Sequence, residues 1–353
     1  MFFLRGLTSL PAVLLPRLAR QGQGVLTMKW LLVFLTLLPT TLDTCTAHAR
    51  GTKRSMIDIQ KTAQRLQDHL KALTVTIGER SIRFPENIER TAQYIESFYR
   101  DIGIPSRREP YQYQNLEVAN LVAELSFSEN PSTHYLLVAH YDSVANTVGA
   151  DDNASAVAVQ LETARLLKAL KDTEKLDLAV SLVSFALEEP PVFNTPHMGS
   201  RIYAKKVREE RKKIDGIICL EMVGYSCHDP GCQSYPFPLM FFGYPKEGNF
   251  IGIVGNWKSR GFAGTLFRHF RENKALPVVK LTVPFGGWAL PAVRMSDHAS
   301  FWDDGFKAVM ITDSAFYRNP HYHLSTDTME KLDYRFMAEL VESLLIFFRA
   351  HQR

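Results

Sequence analysis

The sequence predicts an α/β protein: a mainly parallel central sheet with helices on both faces. Three observations carry that expectation. Short apolar runs alternate with amphipathic stretches from residue 55 to the end of the chain. The runs are near-continuous in hydrophobicity, as in strands buried on both sides. Several of them end directly in histidine or acidic residues, and open parallel sheets bind ligands beyond the carboxyl ends of their strands.

The elements follow in order. Residues 55–73 predict a helix, with Ile57, Ile59, Ala63, Leu66 and Leu70 on one stripe. A second helix starts after Pro85 and stops near Gly103, a residue suited to the position just past a helix end. Strands are expected at 116–125, 135–139, 178–185, 214–220, 252–254, 278–281 and 308–312. Helices fill several gaps, at 153–170, 199–211, 260–273 and 328–350. In the first of these, Val157, Leu161, Ala164, Leu167 and Leu170 recur three or four residues apart.

The first 49 residues have another character. Lys29 precedes a short apolar run, and Ala47-His48-Ala49 provides small residues at the spacing of a signal cleavage site. Residues 1–49 are therefore read as a leader, with a secretory signal over 28–49 and an upstream extension before Met28. The apolar run is short for a membrane span, and an uncleaved membrane anchor is the alternative reading. Residues 50–353 are expected to form a single domain. Without the leader, which holds four basic residues and one acid, the formal net charge falls from +4 to +1. No basic tail or cluster survives, so nucleic acid is not an expected partner. Cys227 and Cys232 flank a Pro-Gly turn, and in an exported chain they are expected to pair. Cys219 lies in an apolar strand and reads as a buried free thiol.

The strand ends concentrate the chemistry. The run Tyr135–Ala139 leads to His140, and Asp142 follows. Asp151 and Asp152 open the next helix. Glu188 and Glu189 follow the run at 178–185, Glu221 follows Leu220, and a loop after Thr312 carries His321 and His323. Imidazoles and carboxylates at one sheet edge form a mixed nitrogen and oxygen ligand set, which suits zinc, with cobalt or manganese chemically compatible. So many carboxylates exceed the needs of one zinc and match a two-metal site with a shared carboxylate.

The stretches HYDS, GADDNAS, FALEEP, LEMVGY and HYHLSTDT, in this order, resemble the zinc-dependent exopeptidases that include bacterial leucyl aminopeptidase, glutamate carboxypeptidase and glutaminyl cyclase. The resemblance covers roughly residues 80–350. It implies a di-zinc aminopeptidase-like fold of the phosphorylase/hydrolase type, two zinc ions per chain and a peptide substrate. It further implies that His140, Asp152, Glu189, Glu221 and His323 are metal ligands, with Asp152 bridging. Glu188 would be the general base, and Asp142 would orient the His140 ring. In relatives the bond after the bridging aspartate is cis, here Asp152–Asn153. Glu221 departs from the pattern, since the family usually has aspartate there; His321 is a second candidate for the role of His323.

The implied reaction is hydrolysis of N-terminal residues by a water activated between the two metals, with Glu188 moving its proton. The expected location is periplasmic or secreted, without stable membrane association after signal cleavage. Two other outcomes share the fold: a one-zinc glutaminyl cyclase, whose kind usually lacks the Asn-Ala-Ser run after the bridging aspartate, and a non-catalytic binding domain. Asp297, in SDHASFW, is read either as a neighbour of the site or as a helix cap. The loop PFGGWALP (284–291) is read either as a pocket wall or as a packed connection.

Overall fold

Side-chain caps set the ends of the helices more tightly than hydrophobic spacing suggests. Asp58 starts the first helix: its carboxylate accepts the Lys61 N–H at 3.0 Å, so α1 runs Ile59–Leu70 and continues as one wider turn, Lys71–Ile77. Asp333 does the same for the last helix, accepting the Phe336 N–H at 2.9 Å, so that helix begins at Tyr334 rather than at residue 328. Pro85 opens α2 (Pro85–Asp101), and Gly103 with φ +71° follows its end. The computed structural model describes residues 55–351 apart from 238, 239 and 241; the leader at 1–49, its signal and residues 50–54 lie outside the described residues.

After α2 come β1 (Ser106–Tyr113), β2 (Leu116–Ser126), β3 (Thr133–His140), α3 (Ala156–Lys171), β4 (Leu178–Phe185), α4 (Gly199–Glu209), β5 (Gly216–Glu221) and β6 (Ile251–Asn256). Then follow α5 (Arg260–Phe270), β7 (Val278–Val283), α6 (His298–Asp303), β8 (Ala308–Thr312) and α7 (Tyr334–Arg349). The eight strands form one sheet in the order β1-β2-β4-β3-β5-β8-β6-β7. Each strand expected from an apolar run is present. β1 has no such run: SRREPYQY is polar, contains Pro110 and lies at the edge, where hydrophobicity is not required.

The sheet is more mixed than the sequence suggests. β3, β4, β5 and β8 are mutually parallel, and β6 pairs parallel with β7. β1 with β2, β2 with β4, and β6 with β8 are antiparallel. Hydrophobic runs report burial on both faces and carry no record of direction. For the site, what matters is that β3, β4, β5 and β8 all end at the same edge.

Successive residues of the central strands alternate between two cores. Leu137, Leu182 and Ile218 face the larger one, packed with α1, α2, α3, α5 and α7. Leu136, Val183 and Ile217 face the smaller one, packed with α4 and α6. No helix among the described residues is long and apolar enough to cross a membrane.

One buried charge ties the larger core to the loop after β3. Arg80, 1% exposed, donates to the carbonyls of Tyr141 at 2.8 Å, Val148 at 2.7 Å and Gly149 at 2.9 Å. It also reaches Gly78 O at 3.2 Å, so both ends of the loop 141–149 hang from one guanidinium. Burial lowers its pKa to about 10, against Asp142, Asp327, Asp152 and Glu189, which raise it. Replacing Arg80 by methionine strands several buried carbonyls, at about 1–3 kcal/mol each. We expect Arg80→Met to lower stability by at least about 3 kcal/mol in urea denaturation. Arg80→Lys should recover little, because an ammonium lacks the planar fork.

Candidate metal centre

Four strand ends deliver the polar groups. β3 terminates in His140, fully buried. The chain then loops to Gly149, whose φ of +53° admits a turn that a side chain would block: a Cβ there would sit 2.2 Å from Asp152 O. That turn presents Asp152 before a cis Asp152–Asn153 bond, as the resemblance implies. Beyond β4 the backbone turns at Leu187, φ +57°, and presents Glu188 and Glu189. β5 ends in Glu221, followed by Met222 with φ +46°, and His323, φ +57°, comes from the loop after β8.

These side chains meet. Asp152 stands between two imidazoles: its Oδ1 lies 3.4 Å from His140 Nε2, and its Oδ2 lies 3.1 Å from His323 Nε2. Glu221 Oε2 is 3.5 Å from His140 Nε2, and Glu189 Oε2 is 3.4 Å from His323 Nε2. The five candidate ligands thus form two lobes sharing one carboxylate. Glu188 Oε2 lies 3.9 Å from His140 Nε2, beside the first lobe, and Asp142 Oδ1 lies 3.3 Å from His140 Nδ1 on the ring's far side. His321 is turned away, its Nδ1 2.9 Å from Thr326 Oγ1.

The donor atoms fit a cation. His140 Nε2, Asp152 Oδ1 and Glu189 Oε1 are buried without hydrogen-bond partners, and ligand atoms of these three residues lie within 4.8 Å of one another. Unsatisfied buried polar atoms are costly unless something neutralises them. Protonation behaviour points the same way. Burial pushes the Glu188 carboxyl well up, with Glu221, Glu189 and Asp297 adding to the effect against His140. Burial, then Asp152, raises Glu189 to about 8, and burial raises Glu221. For Asp152 burial is outweighed by the two imidazoles, and its pKa falls. Burial would lower both histidines, yet the surrounding acids lift His140 well above the ordinary range and His323 to about 10. The cluster draws positive charge.

Side chains from one strand end hold the backbone of the next. The Asp142 carboxylate accepts the N–H groups of Glu188 and Glu189, both at 3.0 Å. Asn153 brackets Glu221, donating to Leu220 O at 3.1 Å and accepting the Met222 N–H at 3.0 Å. Asp327 accepts the N–H groups of Asp151 at 2.9 Å and Asp152 at 3.2 Å. Asp151 accepts the Gly224 N–H at 2.8 Å and the Asn319 amide at 2.6 Å, and is no part of the lobes.

Sequence reasoning did not find the bracing by Asn153 and Asp327, because their partners lie 67 and 176 residues away and leave no local signal. Ser296 and Asp297 do not cap α6. Ser296 instead donates to Glu221 Oε2 at 2.7 Å, and Asp297 is fully buried with both carboxylate oxygens unpartnered. Burial raises Asp297 to about 7, against His140. Cys227 and Cys232 form a disulfide, and Cys219 is a buried free thiol.

A model of Peptidase family M28 matches residues 120–347. An Escherichia coli (strain K12) protein, the uncharacterized protein YfbL, is 34% identical over 290 residues, covering 80% of this chain and 86% of its own. A probable zinc metalloprotease of Pyrenophora tritici-repentis is 27% identical over 249 residues; the match covers 63% of this chain but only 49% of the fungal protein. Among solved structures, the LapA aminopeptidase of Legionella pneumophila superimposes with a TM-score of 0.63 at 16% identity, covering 86% of this chain and 78% of that one. The glutaminyl cyclase of Porphyromonas gingivalis does so at 0.58 and 15% identity, covering 83% and 98%. At these identities the two structures share the fold.

The bracing can be tested in metal-free protein. Asn153→Ala leaves a buried carbonyl and a buried N–H beside Glu221 unpaired, at about 1–3 kcal/mol each. The expected outcome is a urea midpoint lowered accordingly with an unchanged slope; an unchanged midpoint would show that the bracket contributes nothing.

Proposed function

The chain belongs to peptidase family M28, and from that premise we propose that it is an exported two-zinc aminopeptidase, releasing N-terminal residues from peptides. The observation that carries the reading is the two-lobed arrangement about Asp152, whose oxygens face His140 on one side and His323 on the other. His140, Asp152 and Glu221 would hold one zinc, and Asp152, Glu189 and His323 the second. Nitrogen and carboxylate donors without cysteine suit a catalytic zinc site with an open position. Zinc bound there supplies Lewis acidity, polarising the scissile carbonyl and making a water acidic enough to lose its proton.

The chain's own residues do the rest. Glu188 is buried beside the first lobe, where a raised pKa suits a group that takes a proton from the attacking water and returns it to the leaving amine. Asp142 acts twice, standing behind His140 Nδ1 and holding the backbone that carries Glu188 and Glu189. Burial excludes bulk water from the reacting groups, while His323, its side chain 29% exposed, opens the second lobe to solvent. A free substrate amine can approach the acids from that side.

The Cys227–Cys232 disulfide supports export, because such bonds persist in oxidising compartments. The leader at 1–49, its signal at 28–49 and a single catalytic domain at 50–353 belong to the same proposal. N-terminal sequencing of the exported protein tests the cleavage site.

Three measurements test the catalytic reading. Purified protein should carry close to two zinc ions per chain by elemental analysis. A chelator should abolish release of amino acids from peptides, and zinc should restore it. Glu188→Gln should keep its zinc but lose activity by on the order of 10²- to 10⁴-fold; a metal-loaded variant with a near-normal rate excludes Glu188 as the base. One tightly held zinc with cyclisation of an N-terminal glutamine would favour the glutaminyl cyclase reading instead.

A further inference from the structure

An apolar cavity of about 110 Å³ opens beside the metal centre, with Glu221 and Tyr322 at that end. By the same measure a single water needs roughly 10–15 Å³, so the space suits a side chain of several carbons. Gly252 of β6 and Met310 of β8 lie along its floor, while Tyr235, Tyr244 and Phe250 come from the segment between β5 and β6. That segment is closed on itself by the Cys227–Cys232 disulfide and by backbone bonds from Cys227 N to Gly248 O at 2.8 Å and from Gly231 N to Lys246 O at 3.0 Å.

Bonds such as Ser226 Oγ to Asp333 Oδ2 at 2.7 Å, Gln233 Nε2 to Ser314 Oγ at 2.9 Å and Tyr244 Oη to Lys280 O at 3.2 Å attach it to the body of the protein, and one side chain touches it at three separate points. Arg318, in the loop after β8, is 5% exposed. Its Nε donates to Gln233 Oε1 at 2.8 Å and its Nη1 to Tyr225 O at 3.3 Å. The guanidinium lies 4.5 Å from the centroid of the Phe250 ring. Its stem occupies the space over Gly248, where a Cβ would come within 2.7 Å of Arg318 Cδ. One arginine therefore grips the start, middle and end of the segment. It does not line the cavity; it stands behind Gln233 and Phe250, which do.

We propose that Arg318 is a positioning residue for substrate selection: it fixes the outer wall of this cavity and so sets a preference for a bulky apolar side chain on the residue released. The inference rests on the aminopeptidase reading above. Arg318 also faces the charges of Asp313 and Asp151, and Asp151 adjoins Asp152, so a test must separate the cavity from the metal centre.

The test uses zinc-loaded protein with leucyl- and alanyl-p-nitroanilide. The wild type should favour the leucyl substrate in kcat/KM by on the order of 10-fold or more. Arg318→Met should erase most of that preference, chiefly through a higher KM for the leucyl substrate, with zinc content unchanged. Arg318→Lys, which keeps the charge but not the fork, should fall between. Gly248→Ala, whose Cβ would crowd the Arg318 stem while every lining residue stays in place, carries the test should Arg318→Met fail to fold. Equal losses on both substrates in fully metallated variants would overturn the proposal, as would a wild type with no leucyl preference. A zinc-loaded wild type that releases no N-terminal residue from any peptide would overturn the aminopeptidase reading itself.

Discussion

Like charges do not gather in a protein interior unless something holds them there. Here Asp152, Glu188, Glu189 and Glu221 share a space almost closed to water, and the two imidazoles facing Asp152 make the arrangement tolerable. The carboxylate shared between two histidines is the constraint on which the rest of the structure depends. It requires four strand ends, distant in sequence, to arrive at one place with their side chains aimed inward. It also requires that mutual repulsion not push them apart.

The fold meets both requirements with backbone bonds. Parallel pairing of β3, β4, β5 and β8 brings the ends together. Polar side chains then lock each end to another: Asp142 holds residues 188 and 189, Asn153 holds the flanks of Glu221, and Asp327 holds the turn that carries Asp152. Each uses its fixed geometry on main-chain groups, so the candidate ligand side chains are not consumed in the bracing. Groups placed in this way before any ligand arrives need little rearrangement when one binds.

The reversed pair of strands at the other side of the sheet has a different consequence. β6 runs antiparallel to β8, so its amino end, not its carboxyl end, lies beside Glu221. A glycine at that end, Gly252, leaves room for an apolar cavity instead of a further ligand. Of the loop 284–291, only Leu290 lines this space, while Phe285 and Trp288 are exposed. The polar cluster and the apolar cavity thus occupy adjoining parts of one edge, built by strands of opposite direction.

Much of this was legible in one dimension. Hydrophobic runs and helical stripes are local consequences of burial, so the sequence by itself determined the alternation of strands and helices. Acids and histidines placed directly after apolar runs likewise marked the candidate site, since a strand's end is visible wherever its burial stops. Edge strand β1 was not legible, because an edge needs no hydrophobic signature. Nor was the direction of β6 and β7, because burial has no polarity along the chain. The parts that only the tertiary structure decided are pairings across long stretches of chain: Arg80 with the loop after β3, Asn153 around Glu221, Asp327 beneath Asp152, and Arg318 behind the cavity wall. The first three join a side chain to backbone groups, which every residue carries, and Arg318 meets a side-chain amide, a ring and a carbonyl far off in the chain, so no local residue pattern records which partner is used.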